Sequence, residues 1–143
     1  MDIREFFFKY RSYTPIPIGV MIVYFARPEI LYVYIGAVLL CVGETIRIWS
    51  VSYAGGETRT RNVGATKLCS SGPYAFVRNP LYVGNMFMYV GIVFIAGAAN
   101  IWLMTATTLT FFIIQYSLIV ALEEEKLEEL FGQEYQIYKK NVP

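Results

Sequence analysis

The sequence predicts an all-α protein, a polytopic bundle of about four transmembrane helices with a cytoplasmic loop and an amphipathic C-terminal helix. Three observations predict it. Hydrophobic residues make up 56% of the 143-residue chain and charged residues only 16%, against about 25% charged in a soluble domain. The apolar residues fall in four blocks, three of which have the roughly 20 residues a helix needs to cross hydrocarbon. Apart from Glu44 and Arg47, the charged residues lie between and around those blocks.

The blocks can be justified in order. The first, about 13–26, is short for a span; Tyr13 and the aromatic run Phe6 to Phe8 extend its reach through the interface, and a re-entrant or surface-lying segment is the competing reading. The second, about 30–53, the third, about 81–99, and the fourth, about 101–122, are full-length spans. The "GAAN" stretch between the last two is short enough only for a tight helical hairpin. A cleaved signal peptide is not expected, because "YFARPEI" offers no pair of small residues for cleavage. The whole chain, 1–143, is read as one domain.

Positive charge gives the bundle a direction. Arg4, Lys9 and Arg11 precede the first block; Arg59, Arg61, Lys67 and Arg78 lie between the second and third; Lys126, Lys139 and Lys140 follow the fourth. A four-span path puts all of these on one side and only Arg27 on the other, which by the positive-inside rule makes both termini and the loop 54–80 cytoplasmic. That loop is too long to be a mere connection. Gly55 and Gly56 are placed to end the second helix, Gly72-Pro73 to force a turn, and Pro80 to open the third helix with Asn79 at its N-cap.

Composition also excludes. A formal net charge of +1 does not suit a nucleic-acid binder. With no histidine, a His-ligated metal and a His general base are ruled out, and Cys41 and Cys69 form neither a disulfide framework nor a metal-ligand spacing, so no metal is expected.

Two stretches carry a family resemblance. "GPYAFVRNPLYVGN" resembles the GPYxxxR[HN]PxYxG signature of the isoprenylcysteine carboxyl methyltransferase and phospholipid methyltransferase family, and "EEEKLEELFGQEYQIYKKNVP", 123–143, resembles its paired glutamates followed by FGxEYxxYxxxVP. The two lie in the right order, one helical hairpin apart. The resemblance implies an integral-membrane, S-adenosylmethionine-dependent methyltransferase that acts on a membrane lipid or small hydrophobic acceptor at the cytoplasmic face. Carried onto matching positions, Lys67, Leu68, Cys69, Tyr74, Asn79, Pro80, Leu81, Tyr82, Glu123 and Glu124 would hold the cofactor, in a pocket formed by the loop and the C-terminal helix. Glu123, Tyr82 and Arg78 would be the catalytic set. A sulfonium donor is already activated, so positioning supplies much of the catalysis, and only an acceptor that must lose a proton needs Glu123, Glu124 or Tyr82 as base.

Plainer readings stand beside these. Asn79 could be only a helix cap, Glu123 to Glu125 solvated charge where a helix leaves the membrane, Arg78 a cation that meets lipid phosphate, and Tyr135 and Tyr138 interfacial anchors. Glu44 and Arg47, three apart inside the second span, are read first as a structural ion pair; the alternative has Arg47 reaching the acceptor headgroup or the cofactor carboxylate. The sequence departs from the family pattern where position 79 holds asparagine instead of the usual histidine, and where "IVALEEE" lacks the arginine that precedes the glutamates in the carboxyl methyltransferases. A neutral or zwitterionic lipid therefore suits it better than a prenylcysteine carboxylate. Two other classes remain: an NADPH-dependent membrane sterol or steroid reductase, which has a related helical core, and a non-enzymatic lipid-binding membrane protein.

Overall fold

A computed structural model describes residues 2–55 and 65–143. Gly56, Arg59 and Arg61, and with them part of the expected loop, lie outside the described residues. Among the described residues the chain is helical, with α1 at Ile3–Lys9, α2 at Ile16–Tyr24, α3 at Ile30–Ala54, α4 at Pro80–Ala96, α5 at Ile101–Phe131 and α6 at Gln133–Asn141. A 3-10 turn, Gly72–Ala75, precedes α4.

Helices α3 and α5 are each long and apolar enough to cross a membrane. The 17 residues of α4 sit at the lower edge of the spanning range. The first block departs from expectation. Instead of one segment over 13–26 it contains α2, nine residues long, or about 14 Å at 1.5 Å per residue, half of a hydrocarbon core of about 30 Å. Pro15 and Pro17 fix its start, and the chain leaves the helix after Tyr24 so that the Arg27 N–H can donate to the carbonyls of Ala96 (2.9 Å) and Gly97 (3.2 Å). Gly97, at φ +61°, ends α4 earlier than the expected 99, and α5 continues past the expected end at 122 to Phe131, where Gly132 at φ +51° separates it from α6.

Local signals place the remaining ends as read. Gly55, at φ +69°, caps α3, Gly72 at φ +59° begins the turn with Pro73, and Pro80 opens α4. Asn100 caps α5 by accepting a hydrogen bond from the Leu103 N–H at 3.0 Å.

The most extensive helix pair is α3 against α4, antiparallel. Its closeness comes from glycines spaced seven apart on both helices, Gly36 opposite Gly91 and Gly43 opposite Gly84. A Cβ built on Gly36 would lie 2.5 Å from the Gly91 carbonyl oxygen, and one on Gly43 2.6 Å from that of Gly84. In lipid, where apolar burial drives little association, such backbone approach is what packs helices.

The core has three parts. Ile22 of α2 packs with Val93, Phe94, Ile101 and Met104 at one end of the bundle; Phe8 of α1 packs with Phe112, Tyr116 and Ile119 along α5; and Leu68 packs with Tyr135 and Tyr138 at the other end. Outside, Val20, Val23, Leu31, Tyr34, Val38, Trp102, Leu103, Ile113 and Ile114 are exposed. An apolar girdle on that scale is far larger than a soluble surface carries and is what a lipid-facing bundle presents.

Candidate functional site

One cavity of about 500 Å³ opens where the loop, the start of α4 and the C-terminal helices meet, within the range of small-molecule sites. The 3-10 turn and the N-terminus of α4 bring in Tyr74, Arg78, Asn79, Leu81 and Tyr82; α5 contributes Tyr116, Glu123, Glu124 and Leu127; α6 contributes Tyr135 and Tyr138. Lys67, Leu68 and Cys69 complete the loop side. Every cofactor-binding residue predicted from sequence therefore lines the cavity except Pro80, which is buried at the start of α4.

The two sequence stretches meet in a single contact. The Tyr82 hydroxyl donates to Glu123 Oε1 at 2.9 Å, across 41 residues of chain, and the Tyr82 ring stacks on Tyr116 with centroids 4.6 Å apart. Glu123, the first residue beyond the fourth apolar block, has its pKa raised to about 7 because burial penalises the charged form, while the Tyr82 hydrogen bond and the Arg11 charge pull the other way. Glu123 lines the cavity beside this contact. Burial likewise pushes the Tyr74 hydroxyl well above its ordinary range, helped by Cys69 and Glu123.

Asn79 holds the N-cap position of α4 but makes no capping bond with its side chain, so the amide is left for the cavity it lines. Glu124 and Glu125 differ sharply from Glu123. Glu124, 14% exposed, lies 3.2 Å from Arg78 Nε and 2.9 Å from Lys139 Nζ. Lys139 also binds Glu128 at 2.9 Å, and the Glu128 and then the Glu124 bonds raise its pKa. Arg78 donates through Nη1 to the Lys139 carbonyl (3.1 Å) and through its backbone N–H to that of Pro143 (2.9 Å). These charges fasten α6 to α5 and to the loop. Glu125 is exposed and pairs with Arg4 of α1 at 2.6 Å.

Tyr135 and Tyr138 correct the interfacial-anchor reading. They are 1% and 9% exposed and pack on Leu68, and the Tyr138 hydroxyl donates to the Tyr74 carbonyl at 2.7 Å. Their three-residue spacing, which sets both rings on one face of α6, was the available signal. Sequence reasoning also missed Phe8, Arg11 and Ser12, which bring the N-terminal segment to the cavity, and Asn85, Met88, Tyr89 and Ile92, which continue it along α4. The 3.6-residue periodicity of α4 carried that second set; nothing local marked the first. Arg47 lines the cavity while paired to Glu44 at 2.9 Å, so the ion-pair and cavity readings are compatible. Among the described residues, no cluster of His, Cys, Asp or Glu could hold a metal.

Comparison with known proteins follows the same residues. The profile described as phospholipid methyltransferase matches residues 31–134, which takes in α3, the loop, α4, α5 and the glutamates. The chain belongs to the phospholipid methyltransferase family. It is 30% identical over 109 residues to the protein-S-isoprenylcysteine O-methyltransferase of Schizosaccharomyces pombe (strain 972 / ATCC 24843), covering 73% of this chain and 44% of that protein. It is also 30% identical over 117 residues to the nickel-cobalt-cadmium resistance protein NccN of Alcaligenes xylosoxydans xylosoxydans, covering 77% of this chain and 50% of that one. The chain thus spans about half the length of these curated relatives. No solved structure matches it significantly.

Proposed function

We propose that the cavity is the active site of an integral-membrane methyltransferase that binds S-adenosylmethionine at its loop and tail end and takes a lipid or other hydrophobic acceptor from the membrane along α4. The observation that carries this reading is the Tyr82–Glu123 hydrogen bond, which joins the two family motifs at the wall of one cavity. The residues fit the cofactor's chemistry. Glu123 presents a carboxylate oxygen to a cationic ligand, Asn79 an uncommitted amide, and Tyr74, Tyr82 and Tyr116 aromatic faces. When bound, S-adenosylmethionine supplies a methyl group already activated on a sulfonium.

The chain's own residues do the rest. Tyr82 orients the Glu123 carboxylate, and the tail clamp of Arg78, Glu124 and Lys139 holds α6 over the cavity so that water is displaced. In this reading Arg78 and Glu124 position the site, and Glu123 and Tyr82 touch the ligand. An acceptor that must shed a proton finds in Glu123, at about 7, a base matched to neutral pH. The site faces the cytoplasm, the side to which the positive-inside rule assigns Arg4, Lys67, Arg78, Lys126 and Lys139.

Incubation of the purified protein with methyl-tritiated S-adenosylmethionine and a total membrane lipid extract tests this. Label should pass to the organic phase, and Glu123→Gln should reduce its rate. No transfer to any lipid fraction, with the extract oxidising NADPH instead, would assign the cavity to the reductase class.

A further inference from the structure

The cavity extends beyond the cofactor end. Its α4 wall runs from Leu81 to Ile92, about 17 Å of helix, and there it meets Arg47 of α3. The stem of Arg47 is seated against bare backbone, since a Cβ on Gly84 would come within 2.8 Å of Arg47 Cγ. Its Nη1 is held by Glu44 at 2.9 Å and lies 3.5 Å from Met88 Sδ, yet its Nε is buried and has no hydrogen-bond partner. An ion pair kept for helix packing alone would have no need to line a cavity. Charge at membrane depth is retained where it faces a pathway or a ligand. The guanidinium fork suits an oxoanion, which accepts two parallel N–H bonds.

We propose that Arg47 reads an anionic group, a phosphate or a carboxylate, on the amphiphilic acceptor that lies along α4. This rests on the reading of the loop and tail end as the cofactor compartment.

The test is lipid binding to the purified full chain in detergent, by displacement of a fluorescent fatty-acyl probe. The competitors are phosphatidic acid for phosphate, palmitate for carboxylate, and diacylglycerol as the neutral counterpart. Phosphatidic acid or palmitate should bind at least about tenfold more tightly than diacylglycerol, and whichever is preferred names the group. Arg47→Met should abolish that preference while S-adenosylmethionine affinity stays unchanged. Glu44→Gln, which breaks the ion pair outside the cavity, should leave the preference in place. Should Arg47→Met fail to fold, Arg47→Lys must weaken the preferred anion more than diacylglycerol. The proposal is overturned if the native chain shows no anion preference, if Glu44→Gln abolishes it as fully as Arg47→Met, or if Arg47→Met weakens only S-adenosylmethionine. Absence of S-adenosylmethionine binding by the native chain would instead refute the methyltransferase reading.

Discussion

At the scale of the residue, Glu123 carries two opposed demands. A carboxylate that meets a cationic ligand in a partly dry cavity makes a charge-assisted interaction worth roughly 1.5 to 3 kcal/mol, so Glu123→Gln should lower S-adenosylmethionine affinity by about 10- to 150-fold in isothermal titration. Glu125, exposed and paired with Arg4, is the control, and Glu125→Gln should change affinity by no more than about fivefold, the 1 kcal/mol an exposed pair contributes. The pH dependence follows from the raised pKa of about 7. Cofactor affinity should increase as pH passes upward through that value and the carboxylate forms. Stability of the ligand-free protein runs the other way: the native state holds the proton more tightly than the unfolded chain, whose carboxyl titrates near 4.5, so stability falls between about pH 4.5 and 7 and levels off above. Thermal melts of Glu123→Gln should lack that slope and lie above the native protein at pH 8. The positions of Glu123 and Tyr82 were legible in the sequence through their motifs; the hydrogen bond between them and the separation of Glu123 from Glu124 were not, because three consecutive glutamates look alike until the helix turns them toward different neighbours.

At the scale of the element, the site is held by how α3 crosses α4. Gly43 and Gly84 let Arg47 and the cavity wall approach across bare backbone, and Gly43→Ala should cost about 1 to 3 kcal/mol, because the added methyl forces two backbones apart. Unfolding in detergent would measure it, and a cost near zero would mean that the crossing is loose. Gly19, with nothing near its missing Cβ, provides the comparison: Gly19→Ala should leave stability unchanged or slightly raised. Helix starts and stops were readable because their causes are local, as Pro80, Gly55 and Gly72 show. The glycine seam was not, since its meaning depends on which two helices face each other. Helix α2 was overestimated for a related reason: the chain turns after Tyr24 in order to pair with Ala96 and Gly97, some seventy residues away.

At the scale of the whole molecule, the bundle has two unlike ends. The links after α2 and after α4 dock on each other through Arg27 and Gly97, while α1, the loop and α6 gather round the cavity. Among the described residues, Arg27 is the cation placed at the first end, and the cytoplasmic assignment proposed above rests on that asymmetry. Accessibility labels at Asp2 and Val142 should therefore report the cytoplasm and one at Ala98 the opposite side; a label at Asp2 that reported the far side would reverse the N-terminal segment. The claim on which all of this converges is that the cavity is built for S-adenosylmethionine. Equilibrium binding to the purified full chain measures it most directly. Saturable binding of S-adenosylmethionine and S-adenosylhomocysteine, with none of NADPH, is the predicted result; saturable NADPH binding with none of the sulfonium or its product would contradict it.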